Sequence, residues 1–312
     1  MKINKLAVFL CFYFFCLVVF SQQLPLHTQY LYNPLVINPA FSGITESSSI
    51  ILMNRNQWVG FVEDGIKTTS ISGHHALNNQ KHGVGSLLFS DRTGAISIHG
   101  LDLMYSFKFP VFLDYNLSLG ISANLYQYIL DDSKIEYNEP DPTNFGDYQK
   151  KINFDSNFGI FLYDEFLFFG ASVVNIIQSK VLDEQEGNEY NQLVRNYYFL
   201  GGYNFSDKNS KLGFEQSFLL RKTQFTDFQY DINLKTIFND IFWLGAGYRS
   251  DDEIVALFGF EYSRFSLIYS IDYNYGKIGS HSGSSHEFSL VYYLRQGSSI
   301  DWKKNRILLD KY

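Results

Sequence analysis

The stretch NLSLGISANL, residues 116–125, alternates without a break between polar or small side chains and apolar ones. A period of two residues predicts a β-strand, because successive side chains of a strand point to opposite faces. The stretch FSLIYSIDYN, residues 265–274, repeats the pattern with Ile268 as its one exception. Each of these strands should therefore have one apolar face and one polar face.

Working outward from these two stretches, the same alternation marks about fourteen strands along the chain. Their predicted ranges are 47–58, 67–76, 82–90, 96–109, 115–128, 154–163, 166–177, 194–205, 211–221, 228–238, 241–250, 254–262, 265–275 and 286–294. Most of these strands are long for a soluble sandwich and suit strands that cross a membrane at a tilt. The polar face would then line a lumen, and its charged residues would need partners there; they include Glu215, Arg221, Arg249, Glu261 and Asp272.

The connections between the predicted strands are sorted by length. Even-numbered connections are short, whereas the long ones, 129–153, 178–193 and 276–285, are all odd-numbered. Outer-membrane barrels have short periplasmic turns and longer external loops. A soluble β-sandwich, the alternative, has no reason to sort its loops in this way. The sequence therefore predicts an all-β, transmembrane antiparallel β-barrel in the outer membrane of a Gram-negative bacterium, with both termini in the periplasm.

The first residues, 1–21, predict a cleaved signal peptide. Two lysines precede an apolar run that is shorter than the roughly twenty residues a membrane helix needs. Both cysteines, Cys11 and Cys16, lie in this region. The mature chain then has no thiol, which excludes cysteine catalysis, thiolate metal sites and disulfides.

The other boundaries follow from the strand pattern. Residues 47–295 form the predicted barrel, 22–46 form an N-terminal periplasmic or plug segment, and 296–312 form a periplasmic C-terminal tail. The net charge of the whole chain is −7, which argues against nucleic acid as a partner.

Two motifs lie at the start of the mature chain. The first is QYLYNPLVINPAFSG, residues 29–43, with two Asn-Pro steps, and the second is RNQWVG, residues 55–60. Proline removes rotational freedom and an Asn side chain can cap nearby amides, so the first motif suits a fixed, irregular path. The candidate interaction or plug residues are Gln29, Tyr30, Asn33, Pro34, Asn38, Pro39, Gly43, Arg55, Asn56, Gln57, Trp58 and Gly60. The alternative is that the first motif only initiates the barrel and tethers it.

The chain resembles the PorP/SprF family of outer-membrane proteins of the type IX secretion system in these two motifs and, less closely, in SDRTGA at residues 90–95. The resemblance implies a barrel that works by protein–protein binding in secretion and gliding motility. It implies type IX ring or lipoprotein components in the periplasm as partners. It also implies the export or surface retention of secreted proteins, such as a large adhesin or its C-terminal domain. Outer-membrane lipid would surround the barrel.

No motif predicts catalysis, a cofactor or a metal site. The stretch GSHSG, residues 279–283, has histidine where a hydrolase would have serine, and His74 and His75 point to opposite faces of one strand. Ser97, His99 and His286 do not assemble into a lipase site by sequence position. The sequence therefore predicts a protein that is not an enzyme. A passive channel for small solutes stays open as the alternative function, since fourteen strands leave room for a pore unless something fills it.

Overall fold

The computed structural model describes residues 27–45, 47–60, 65–77, 80–112, 114–134, 148–181, 192–205, 211–224, 226–239, 241–250, 252–276, 279 and 283–294. The predicted signal peptide and C-terminal tail lie outside these residues. The described residues form a closed barrel of fourteen antiparallel strands, each paired with its neighbours in chain order. The strands are β1 (Ser49–Gln57), β2 (Ile66–Ala76), β3 (His82–Thr93), β4 (Ile96–Phe112), β5 (Tyr115–Asp131), β6 (Tyr148–Tyr163), β7 (Leu167–Val174), β8 (Asn196–Asn204), β9 (Leu212–Thr223), β10 (Gln229–Phe238), β11 (Phe242–Arg249), β12 (Glu253–Tyr262), β13 (Phe265–Asn274) and β14 (Ser285–Tyr293). The predicted all-β barrel and its strand number are confirmed.

The two faces of β5 show why the alternating sequence folds this way. Ser118 and Asn124 face the lumen and are fully buried, whereas 54 % of Ile121 and 47 % of Leu125 is exposed on the outside. This is the reverse of a soluble protein, in which apolar side chains are buried and polar ones are exposed. An apolar outer wall around a polar lumen is stable where the surroundings are lipid. Among the described residues, no helix is long and apolar enough to cross a membrane.

The barrel closes by pairing its first strand with its last. The register runs from Ser49 opposite Tyr293 to Asn56 opposite His286. Closure satisfies the backbone N–H and C=O groups that an edge strand would expose to lipid. Aromatic residues ring the outer wall near both ends, among them Tyr230, Tyr248 and Tyr273 at one end and Phe242, Phe260 and Phe265 at the other.

The two ends of the barrel differ in their connections. The even-numbered connections, which join strands at the short-turn end, are 77–81, 113–114, 164–166, 205–211, 239–241 and 263–264. The longest connections, 58–65, 132–147, 175–195 and 275–284, are odd-numbered and define the long-loop end. β1 begins and β14 ends at the short-turn end.

Four strands extend three or more residues beyond their predicted ranges: β3, which continues to Thr93, and β4, β5 and β6. β4 continues through Phe112 with a register shift at Pro110, and β5 and β6 stay paired as far as Asp131 and Tyr148. The prediction that 129–153 is all loop was therefore wrong at both ends of that range. The residues there include Lys150 and Lys151, which break the apolar alternation. Backbone pairing does not need that alternation once a strand extends beyond the apolar wall.

Candidate functional site

Residues 27–45, here called the luminal segment, lie inside the barrel. At one end, the backbone N–H of Thr28 donates to Glu287 (2.9 Å) and its hydroxyl donates to Asp272 (2.6 Å), both at the long-loop end. At the other end, the carbonyl of Ser42 accepts from the Ser106 hydroxyl (2.5 Å), in the half of β4 nearer the short turns. The luminal segment therefore crosses the lumen from the long-loop end to the short-turn end before β1 begins.

The two Asn-Pro steps each start a short 3₁₀ turn, at Pro34–Val36 and Pro39–Phe41. The Asn38 side chain caps the second turn by accepting from the backbone N–H of Ala40 (2.9 Å). Asn33 does not cap its own turn, and its side-chain oxygen accepts instead from the Ser72 hydroxyl of the wall (2.8 Å). The predicted capping role of asparagine is confirmed at the second step and wrong at the first.

Glycines on the inner wall form a seat for the second half of the luminal segment. This glycine seat consists of Gly83, Gly85, Gly120, Gly159 and Gly170. A Cβ on Gly159 would lie 2.8 Å from Cγ of Asn38 and closer still to its Oδ1, and a Cβ on Gly120 would lie 2.5 Å from the Ala40 Cα. Only glycine lets backbone and wall approach so closely.

Polar side chains of the wall satisfy the backbone carbonyls of the luminal segment. Ser172 donates to the carbonyl of Ile37 (2.5 Å), Ser118 to that of Ala40 (2.7 Å), and Lys108 to that of Gly43. In return, the Asn38 amide donates to the wall carbonyls of Ile160 (3.1 Å) and Ala171 (3.4 Å). A buried irregular segment is stable only when its backbone groups find such partners.

Apolar contacts fill the lumen on both sides of the luminal segment. Phe41 packs against Phe161 with ring centroids 4.0 Å apart. Across the lumen, Tyr32 stacks on Trp243 at 4.7 Å, and the ammonium group of Lys235 lies 5.2 Å from the Tyr32 ring. The luminal segment therefore joins opposite walls through its side chains.

A buried ionic cluster holds the long-loop end of the luminal segment. It consists of Arg55, Arg249, Asp231, Glu253, Asp272 and Glu287. Arg55 bridges Asp272 (2.8 Å) and Glu287 (3.0 Å). The backbone N–H groups of Thr28 and Gln29 donate to the same Glu287 carboxylate (2.9 and 3.1 Å). These ion pairs offset the cost of burying the charges, which would be high for an uncompensated charge, but Nε of Arg55 and Oδ1 of Asp272 are buried without a hydrogen-bond partner.

A small cavity beside the luminal segment is lined by both polar and apolar side chains. It has a volume of about 50 Å³ and is lined by His27, Ser70, Asp102 and Arg221, among others. A volume of this size holds a few water molecules, at roughly 10–15 Å³ each by the same measure. It does not hold an organic solute.

The structure separates the candidate residues into two groups. Gln29, Tyr30, Asn33, Pro34, Asn38, Pro39 and Gly43 lie in the luminal segment, and Arg55 joins them through the ionic cluster. Asn56 faces outward, where its amide donates to Asn54 (3.1 Å). Gln57, Trp58 and Gly60 lie at the long-loop end, with positive φ at Trp58 and Gly60. RNQWVG is therefore not one site.

Four of the five charged residues that the sequence placed in the lumen, all but Glu261, are buried there. The sequence did not predict the glycine seat or the role of Thr28. The glycines were visible as small residues on the polar face of strands. A glycine inside a strand commonly marks a close backbone approach. That signal does not name the approaching segment.

Comparisons with known proteins agree with this architecture. The sequence matches the family described as "Type IX secretion system membrane protein PorP/SprF" over residues 19–292. No curated protein matches the chain. Among solved structures, the CymD monoaromatic hydrocarbon channel is similar at a TM-score of 0.53 and 9 % identity, with 86 % of this chain and 93 % of that one covered. The Acinetobacter baumannii outer membrane protein Omp33 has a TM-score of 0.46 and 6 % identity, with coverage of 81 % and 100 %.

At such identities the likeness to CymD shows the fold alone, which is that of an outer-membrane barrel. The family match covers nearly all of the barrel. The chain belongs to the PorP/SprF family of type IX secretion system membrane proteins.

Proposed function

We propose that the protein is a barrel of the type IX secretion system that acts by binding other proteins, with its lumen closed by the luminal segment. The observation that carries the proposal is the set of hydrogen bonds that holds this segment against the inner wall. Its carbonyls, its Asn38 side chain and its Thr28 end are each bonded to the wall. A protein built in this way presents its rims and loops to partners rather than a pore to solutes.

The orientation follows from the two kinds of connection. Short turns face the periplasm in outer-membrane barrels, and longer loops face outward. The short-turn end would then meet the periplasmic ring or lipoprotein components. The long-loop end would meet an exported protein, such as a large adhesin or its C-terminal domain.

A passive channel for small solutes is the competing function. The likeness to CymD supports the barrel only, and CymD's own description as a hydrocarbon channel concerns that protein. The luminal segment, bonded to the wall and packed against Phe161 and Trp243, argues against a solute path through the lumen.

The test is affinity purification from gently solubilised outer membranes through a tag on the C-terminus. Ring lipoproteins or a surface adhesin should co-purify with the full chain. Deleting residues 29–43 should leave a folded, heat-modifiable barrel with reduced capture of these partners. The control is Gly245→Ala on the β11 wall, where the three atoms nearest to a Cβ would belong to Leu257 (3.2 and 3.3 Å) and Leu234 (3.4 Å) rather than to the luminal segment. A folded full-length barrel that purifies alone would contradict the proposal.

A further inference from the structure

The outer wall carries a chain of three hydrogen-bonding side chains at the long-loop end. The Ser284 hydroxyl lies 2.9 Å from Nε2 of His286, and Nδ1 of the same ring lies 2.6 Å from the Tyr269 hydroxyl. Ser284 and His286 are two positions apart at the start of β14, so both face outward. Tyr269 faces outward from β13 beside them, and 41 % of its surface is exposed.

The order of groups is that of an activated serine. In the tautomer with its proton on Nδ1, His286 donates to the Tyr269 phenol oxygen, which orients the ring, and leaves Nε2 to take the hydroxyl proton of the serine. We propose that Ser284 and His286 form a catalytic pair, positioned by Tyr269, that hydrolyses acyl esters of membrane lipids. This activity is separate from the binding function proposed above.

The position of the chain selects the substrate class. Tyr273, which is 62 % exposed, lies on the same outer wall, two residues beyond the register partner of His286. Phe288, 48 % exposed, lies below His286 on β14, toward the apolar wall. Aromatic belts mark the level of lipid headgroups, with acyl chains below them. The ester linkages of a membrane lipid lie between these two levels.

Neighbouring groups complete the chemistry. The backbone N–H of Val59 donates to the carbonyl of Ser284 (3.1 Å), which fixes the serine at the rim. Asn56 lies opposite His286 in the register of β1 and faces the same side. Its amide, one hydrogen of which donates to Asn54 (3.1 Å), would have its second hydrogen for the oxyanion that forms on an ester carbonyl.

The reaction balances with water as the only co-reactant. Ser284 Oγ attacks the ester carbonyl carbon while its proton passes to Nε2 of His286. The C–O bond to the lipid alcohol then breaks, and that oxygen takes the proton from His286. Water attacks the acyl-serine, His286 again takes and returns the proton, and the fatty acid leaves with Ser284 restored.

The barrel contains its own comparison pair. His82 and Tyr105 face outward on β3 and β4 with a ring nitrogen 2.6 Å from the phenol oxygen, as in the first pair. The residues two positions away from His82 are Gln80 and Val84, so this pair has no serine beside it. A purely structural role would apply to both pairs equally.

The experiment uses the full-length mature protein in phosphatidylethanolamine–phosphatidylglycerol vesicles, with fatty-acid release and covalent labelling by a fluorophosphonate as readouts. Ser284→Ala and His286→Gln should abolish both, each with unchanged heat-modifiability. Tyr269→Phe should lower kcat by about 10- to 100-fold with little change in KM and should alter the pH profile, whereas Tyr105→Phe should behave as the wild type.

A soluble short-chain ester separates two outcomes. Ser284-dependent hydrolysis of both the vesicle lipid and the soluble ester supports the catalytic pair. The ratio of the two rates then measures the preference for lipid. Fatty-acid release equal in wild type and Ser284→Ala overturns the proposal. Equal effects of Tyr269→Phe and Tyr105→Phe would overturn the positioning role of Tyr269.

Discussion

Replacing Gly159 by alanine should unseat the turn at Pro39 without opening the barrel. The new Cβ would overlap the Asn38 side chain, whose Cγ lies 2.8 Å from its position. Asn38 would have to move and give up its bonds to Ala40, Ile160 and Ala171. At about 1 kcal/mol net for each hydrogen bond, the seated state loses about 3 kcal/mol. Transient release of the luminal segment should then be about 100-fold more frequent, since 1.4 kcal/mol is about tenfold.

The measurement is the rate of maleimide labelling of a cysteine placed at Val36, a half-buried position of the luminal segment. Both native cysteines, Cys11 and Cys16, lie in the predicted signal peptide, so the mature chain would offer no competing thiol. Gly159→Ala should raise the rate about 100-fold and Gly245→Ala should not. Asn38→Ala removes the overlapping atoms. The double variant should therefore destabilise the seated state of the luminal segment by less than the sum of the two single variants. Equal labelling in wild type and Gly159→Ala would refute the glycine seat.

Three further predictions follow from the lumen. Arg55→Met leaves Asp272 and Glu287 buried without their shared cation. It should therefore destabilise the barrel by about 3–5 kcal/mol and lower the temperature at which its band shifts on a gel. A loss of stability no larger than that caused by Lys222→Met, on the outer face, would contradict this. Deleting residues 29–43 should raise single-channel conductance in a planar bilayer, and unchanged conductance would mean that the luminal segment does not close the lumen. A biotin-acceptor peptide placed directly before residue 27 should be labelled in intact cells, whereas one placed after residue 294 should need permeabilised cells; if both need permeabilisation, the assigned direction of the luminal segment is wrong.

The strand pattern was predictable because lipid outside and mostly polar groups inside impose a period of two on most wall residues. Leu117 to Leu125 obey it without exception, and β5 contains them all. The ends of β5 and β6 were not predictable, since backbone pairing there continues among residues such as Lys150 and Lys151. The two-residue period reports the environment of the side chains. It does not report the hydrogen bonds of the backbone.

The sequence predicted the luminal segment of the candidate site but not the wall residues that bind it. The Asn-Pro steps mark residues 29–43 as a fixed segment from local chemistry alone. The wall that receives them depends on register across the barrel, since Asn38 bonds Ile160, 122 positions away. The periplasmic location expected for both termini stays a prediction. Residue 27 lies at the long-loop end of the barrel, and the labelling experiment tests on which side of the membrane that end lies.

The ionic cluster joins the luminal segment to the seam at which the barrel closes. Arg55 is on β1 and Glu287 is on β14, directly opposite each other in the register of the closing pair. Thr28 and Gln29 donate to Glu287, and Thr28 also accepts from Arg55 (2.9 Å). Seating the segment and closing the barrel therefore satisfy the same charges. For this reason the two roles proposed for the N-terminal motif, closing the lumen and initiating the barrel, are compatible with each other, because the contacts that hold the segment in place also stabilise the pairing of the first strand with the last.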